Sequence, residues 1–389
     1  MARFKLRFQL MCGWALCLMS LIKCEQSKCL VVTDGEPDDM VSIILMVKSP
    51  RREEICADGI IIILVLPTED KKKFIKQIFE TAKIKKVTII DGSNSDAADI
   101  RKPLINPVPQ SHEILKKELT NSNINFYILI LAPLRDLSIV LCDMKEKDGA
   151  RFDNIREIYW SGGWDSQNYE ADFNLFIGAE HTLKFMNLIA LEEKIHISSS
   201  QVSIYKGSMN VTSFPRLVAF LTQQKKRNAL FQGLIEIQKK WDEFILRILN
   251  EMDNHELDGT LGKGIQFCPA DILATMLMFH PDLRVMEEYK YYTVEVADLE
   301  PESKLPPTWK PMIVSVKSND KGQAENEIEY QRASIKDGKK FHDYEILYKH
   351  QLYTKIADHS EQKESDFKER VISLLEQYVP EAQRTAHAH

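Results

Sequence analysis

Four carboxylates crowd one short stretch, Asp34-Gly35-Glu36-Pro37-Asp38-Asp39. Close anionic groups repel, so such a cluster opposes folding unless a cation or a polyhydroxyl ligand compensates it. The flanking residues say where the cluster sits. Leu30-Val31-Val32-Thr33 has strand character, and Met40, Ile43, Ile44 and Val47 recur at helical spacing. A strand that turns straight into a helix delivers its turn to the carboxyl edge of a sheet, where open α/β folds bind ligands. Pro37 also suits a first helical position, and Asp38 favours the positive end of a helix dipole. On this stretch alone, an acidic helix start and a ligand site both stand.

Three later turns carry polar groups at comparable places. Leu131-Ala132-Pro133-Leu134-Arg135-Asp136 follows an apolar strand at 126–131. A strand at 155–160 runs into Ser161-Gly162-Gly163-Trp164 and on to Asn168, Tyr169, Asp172 and Asn174. Pro269-Ala270-Asp271 opens a helix over 272–279. Trp164 and Tyr169 could stack on a flat ring, although loop aromatics often simply pack.

The elements that must position these turns alternate. Residues 60–66 are an unbroken apolar run rich in isoleucine, the pattern of a buried strand. A helix to about residue 83 follows, with Thr68 as its cap. Next come a strand at 86–90 ending in Asp91-Gly92-Ser93-Asn94, a loop with Pro103, Pro107 and Pro109, and a helix at 111–119. After the strands at 126–131 and 155–160, a helix at 179–189 leads to a strand at 194–197. A long helical stretch spans 223–252, its Trp241 and Phe244 fitting an apolar stripe. Short strands and charged loops begin near Tyr291, and an amphipathic helix at 365–378 follows. This order predicts an α/β fold with an open, mostly parallel sheet flanked by helices.

The chain has 389 residues, 44% hydrophobic and 28% charged, with a formal net charge of −6, which argues against a dedicated nucleic-acid binder. Lys71-Lys72-Lys73 and the Lys83, Lys85, Lys86 group read as a solvated face. Arg3, Lys5 and Arg7 precede an apolar stretch at 8–22, the form of a secretory signal. That places a signal peptide at 1–24 and one domain at 25–389, in a secreted protein or a secretory-pathway compartment, with no stable membrane insertion expected. The seven cysteines lack zinc-like spacing; a bridge from Cys24 or Cys29 is open in an oxidising compartment. Asn210-Val211-Thr212 is a glycosylation sequon.

Taken in order, the four turns resemble those of the inosine-uridine nucleoside hydrolase family, over residues 29–283 and more faintly beyond. That family opens with Asp-Pro-Gly-x-Asp-Asp; Asp34-Gly35-Glu36-Pro37-Asp38-Asp39 keeps the three aspartates and displaces the Pro and Gly. Its Gly-Pro-Leu-Thr-Asn turn is similar to Ala132-Pro133-Leu134-Arg135-Asp136. Its Gly-Gly and Ala-Glu-Phe-Asn loop is similar to Gly162-Gly163 and Ala171-Asp172-Phe173-Asn174, with Asn168 between. Its late His-Asp-x-x-Ala is similar to Ala270-Asp271-Ile272-Leu273-Ala274.

The resemblance implies a calcium ion held by Asp34, Asp39, Asp271 and the backbone carbonyl of Arg135. It implies Asp34 as the base that deprotonates a water attacking the anomeric carbon of a ribosyl group. Asp38, Asp172 and Asn174 would hold the sugar hydroxyls, with Asn168 a helper from a loop shorter than the family's. The partner would be a nucleoside or related riboside, and the family's dimers and tetramers leave a homo-oligomer open. Two departures bear on activity. The histidine that donates a proton to the leaving group in several members is Ala270, and His280 lies ten residues further along the helix, about 15 Å away. The ribose-binding Asn after the second strand is replaced by an apolar residue near Val65. The readings are therefore a calcium-dependent N-ribohydrolase, a relative that binds metal and sugar without turnover, and, more remotely, an Asp-nucleophile phosphohydrolase.

Overall fold

Successive side chains on a strand point to opposite faces, and in β1 (Gln26–Thr33) both faces are apolar. Cys29 and Val31 pack into one buried cluster, Leu30 and Val32 into another. In β2 (Ile60–Leu64), Ile60, Ile62 and Leu64 join the first cluster and Ile61 and Ile63 the second. A sheet apolar on both sides needs helices on both. The computed structural model describes residues 26–94, 109–162, 215–224, 228–251, 270–283 and 361–378, with shorter stretches between 164 and 198 and between 285 and 356. The expected signal peptide and the Asn210 sequon lie outside these residues.

In chain order, β1 is followed by α1 (Pro37–Lys48), α2 (Arg52–Ile55), β2, α3 (Glu69–Thr81) and β3 (Val87–Asp91). Then come α4 (Pro109–Leu119), β4 (Ile124–Ile130), α5 (Arg135–Asp148) and β5 (Ile155–Ser161). A two-stranded ribbon, β6 (Trp164–Asp165) and β7 (Glu170–Ala171), precedes β8 (Ile195–Ser198), α6 (Pro215–Gln224), α7 (Ala229–Glu251) and α8 (Ala270–Phe279). Six parallel strands pair in the order β3-β2-β1-β4-β5-β8. The order reverses between β1 and β4, so the carboxyl ends of those two strands flank the crevice where such sheets take ligands.

The last helix, α9 (Glu361–Tyr378), returns to the first core cluster through Phe367, Val371, Leu374 and Leu375. The short strands expected near Tyr291 include an antiparallel three-stranded sheet of 289–296, 311–317 and 344–352. The helical stretch expected over 223–252, with one break left open, is divided: Gln223 and Gln224 end α6, and α7 begins at Ala229. Among the described residues no helix is long and apolar enough to cross a membrane.

β1 begins four residues earlier than its apolar run because polar partners satisfy its first residues. The Ser27 N–H donates to Asp58 Oδ2 at 2.9 Å, the Ser27 hydroxyl to the Glu54 carbonyl at 2.8 Å, and Lys28 Nζ to Glu118 Oε2 at 2.6 Å. Cys29 then pairs with Cys56, just past α2, with a Cα separation of 4.9 Å across 27 residues of chain. The sequence left the partner of Cys29 open; the structure supplies Cys56. Replacing both cysteines by alanine should lower the unfolding free energy by roughly 3 kcal/mol, the loop-closure contribution of a bridge this long. Urea melts of the two proteins under oxidising conditions check it, and coincident midpoints would mean that the bond is not formed.

Candidate active site

Where β1 ends, the chain must turn within one residue of a buried carboxylate. Asp34 is 2% exposed, and Gly35 takes φ +70°. A Cβ on Gly35 would press within 3.1 Å of Lys71 Cδ and 3.2 Å of Leu64 Cδ1 and Met40 Cε, so only glycine suits the position. The Gly35 N–H donates to Thr33 Oγ1 at 3.1 Å. Pro37 then opens α1, and the Glu36 N–H donates to Asp39 Oδ2 at 2.9 Å. That bond draws the fully buried Asp39 back over the helix start.

The fourth aspartate arrives from far away in sequence. At the C-terminal end of α1, the Ser49 hydroxyl reaches the Phe279 carbonyl at 3.4 Å and Arg51 donates to the Met278 carbonyl. These bonds join the C-terminal ends of α1 and α8, so the two helices run side by side in the same direction. Both amino ends, with their partial positive charge, therefore face the crevice. Asp271, in the first turn of α8, makes side-chain hydrogen bonds with Asp39 and Ser161, and Asp39 makes one with Asp34. Asn174 closes the group from the β5 side, its amide donating to the Leu131 carbonyl at 3.2 Å and the Ser161 carbonyl at 3.3 Å. Its Oδ1 is buried and accepts no hydrogen bond.

Crowding shows in the acid strengths. Burial and the neighbouring Asp34 push Asp38 up to about 7. Burial, then Asp34 and Asp271, hold the Asp39 carboxyl well above its usual range. Asp271 is raised by burial and by Asp38, with hydrogen bonds from Asp39 and Ser161 pulling back. Glu36 is raised by burial, Asp34 and Asp38, and eased by Lys71. Without a cation, these carboxyls hold their protons to higher pH than exposed ones do.

The structure thus gathers Asp34, Asp38, Asp39, Asp271 and Asn174 in one neighbourhood. Arg135 is the first residue of α5, just past the carboxyl end of β4. Asn168 and Asp172 lie outside the described residues. Val65 is fully buried and its N–H is taken by the Thr33 carbonyl at 2.8 Å, so it offers a sugar nothing in place of an amide side chain. His280 follows the far end of α8. His196 stacks on Tyr159 at 4.5 Å, and His112 Nε2 meets the buried Asp136 at 3.0 Å, where the Ser93 N–H and hydroxyl also donate. The solvated-face reading of Lys71 and Lys72 needs correction. Lys71 Nζ donates to the Asp34 carbonyl at 2.6 Å, and Lys72 Nζ to Asp91 Oδ2 at 2.7 Å, because the start of α3 lies against the carboxyl edge of the sheet. Lys71 and Ser161 are site residues that spacing alone did not mark.

A hard cation takes oxygen ligands, and carboxylates are the usual ones. The buried Asp39 Oδ1 accepts no hydrogen bond, and the weakened acidities of Asp39 and Asp271 record burial and repulsion that their partners do not offset. Donor type and charge therefore fit such an ion. Among the described residues no group of three or more His, Cys, Asp or Glu side chains is arranged so that it could hold a metal ion. Raised carboxyl pKa values stabilise the fold at low pH, and that stability is lost as pH rises through them. In chelator, the melting temperature should fall by roughly 3 °C or more between pH 5.5 and pH 8. Asp38 contributes to the fall up to about pH 7 and not above it, so Asp38→Asn should flatten the part of a calorimetric pH series below pH 7.

No protein-family model matches the chain, and no curated protein sequence does. Among solved structures it is similar to a plant nucleoside hydrolase, with a TM-score of 0.52 and 14% identity over 88% of this chain and 98% of that one. It is also similar to an inosine-guanosine nucleoside hydrolase, with a TM-score of 0.54 and 12% identity over 91% and 99%. At such identities the likeness concerns architecture. The chain has the open α/β fold of the nucleoside hydrolases.

Proposed function

We propose that this protein hydrolyses the N-glycosidic bond of ribonucleosides or related ribosides, and that it does so with calcium. One observation carries the reading: the buried Asp34, Asp39 and Asp271 and the half-buried Asp38 converge at the switch point of a nucleoside hydrolase-like sheet. Asp34, Asp39, Asp271 and the Arg135 carbonyl are the groups that would hold the ion. When bound, calcium supplies positive charge that lowers the pKa of an attacking water.

The chain's own groups account for the remainder. Asp34 takes the water proton as the oxygen bonds to the anomeric carbon and the carbon–nitrogen bond breaks. The surrounding carboxylates favour the positive charge that develops on the ribosyl group. Asp38 and Asn174 hold sugar hydroxyls, joined by Asp172 and Asn168 from the loop after β5. The leaving nitrogen departs with a proton for which this chain has Ala270 where several family members place a histidine. A leaving group that needs no proton should therefore fare best.

A second reading has its own observation. Ala270 and the buried Val65 remove one proton donor and one sugar contact, which favours a relative that binds metal and riboside without turnover. The test is a nucleoside panel beside nitrophenyl riboside, with calcium or chelator, following release of reducing sugar. Turnover is expected to vanish with chelator, to fall at least about 100-fold in Asp38→Ala, and to favour nitrophenyl riboside over inosine by a similar factor. Calcium-dependent stabilisation without turnover would select the binding reading, and no calcium effect at all would sink both.

A further inference from the structure

Lys71 occupies a place in this crevice that neither the proposed hydrolysis nor the calcium ligands account for. It sits in the first turn of α3, where its N–H donates to the Thr68 cap at 3.2 Å. From there the side chain crosses over Gly35, close enough that an added Cβ would meet its Cδ at 3.1 Å. Its Nζ ends on the Asp34 carbonyl at 2.6 Å. Lys72 and Lys73, next along the helix, do otherwise: Lys72 pairs with Asp91 and Glu69, and Lys73 is exposed. Gly35 leaves the room that the lysine stem fills, so the ammonium is built into the acidic turn.

We infer that Lys71 is a resident counter-cation of the carboxylate crevice, steadying the turn when no metal is bound and lowering the affinity for a divalent ion. The inference rests on the proposed calcium reading for its second half and stands without it for its first. A fixed positive charge beside the Asp34 turn offsets the repulsion among Asp34, Glu36, Asp38 and Asp39. The same charge repels an incoming dication across a short, poorly screened distance. Calcium affinity and metal-free stability are thus set in opposite directions by one side chain.

The experiment compares Lys71→Met, Lys71→Gln and the exposed control Lys73→Met with the unmodified protein. Calcium binding is measured by titration calorimetry, and melting temperature at pH 8 in chelator and in calcium. Lys71→Gln keeps a donor for the Asp34 carbonyl, so it separates charge from hydrogen bonding and serves if Lys71→Met does not fold. Both Lys71 variants should bind calcium roughly tenfold more tightly. Both should melt lower than the unmodified protein in chelator and close that gap in calcium, while Lys73→Met changes neither. Binding that appears only in the Lys71 variants would support the inference and refute calcium as the unmodified protein's cofactor. Equal affinities in all four proteins would overturn the inference and leave the calcium reading intact. No binding in any of them, with unchanged melting in chelator, would overturn both.

Discussion

Mutual repulsion among buried carboxylates is the constraint around which this structure is arranged. Asp34, Asp39 and Asp271 lie almost wholly out of water, and a chain does not tolerate that without compensation. Several kinds are present. Two parallel helices, α1 and α8, aim their amino ends at the acids, the Glu36 N–H bonds Asp39, and Lys71 lies across the turn. The remaining imbalance appears as carboxyls that hold their protons. Such crowding is an argument for function, since acids kept together and dry for no ligand would only weaken the fold.

The sheet makes the arrangement affordable by stabilising everything around it. Its two apolar faces are covered on both sides, and β1, at the centre, pairs with β4 along nearly its whole length and with β2 from Cys29 to Thr33. The acidic turn is the continuation of that most constrained strand. Midway along the strand, the Cys29–Cys56 bond ties β1 to the chain just past α2. A rigid strand holds the acids in position better than a loop of the same length would.

Much of this was legible in the residues, and the exceptions have physical causes. The strand, turn and helix around Asp34 were readable because period-2 and period-3.6 patterns meet there within a few residues. Thr68 was readable as a cap because capping is local, and its side chain does accept the Lys71 N–H. Cys56 as the partner of Cys29 was not, because the four-residue α2 is too short to show a period. Lys71 was not, because helical spacing gives a face and does not say what the first turn of α3 lies against. Ser161 matters only through Asp271, and no local pattern links residues so far apart. Of the expected sugar contacts, Asp38 and Asn174 fall among the described residues and Asn168 and Asp172 do not.

The pairing of α1 with α8 also fixes when the crevice comes into being. Ser49 and Phe279 are 230 residues apart, so the contact that aligns the two helices is among the most non-local in the chain. Non-local contacts form late, after the loop between them has been closed. During synthesis, Asp34, Asp38 and Asp39 emerge early and spend most of translation without Asp271. Their incomplete, solvated cluster need not bear the full repulsion while the sheet assembles. The finished set of acids arises only once the chain through Phe279 has docked, so affinity for a cation at this crevice would mark a molecule in which α8 has settled beside α1.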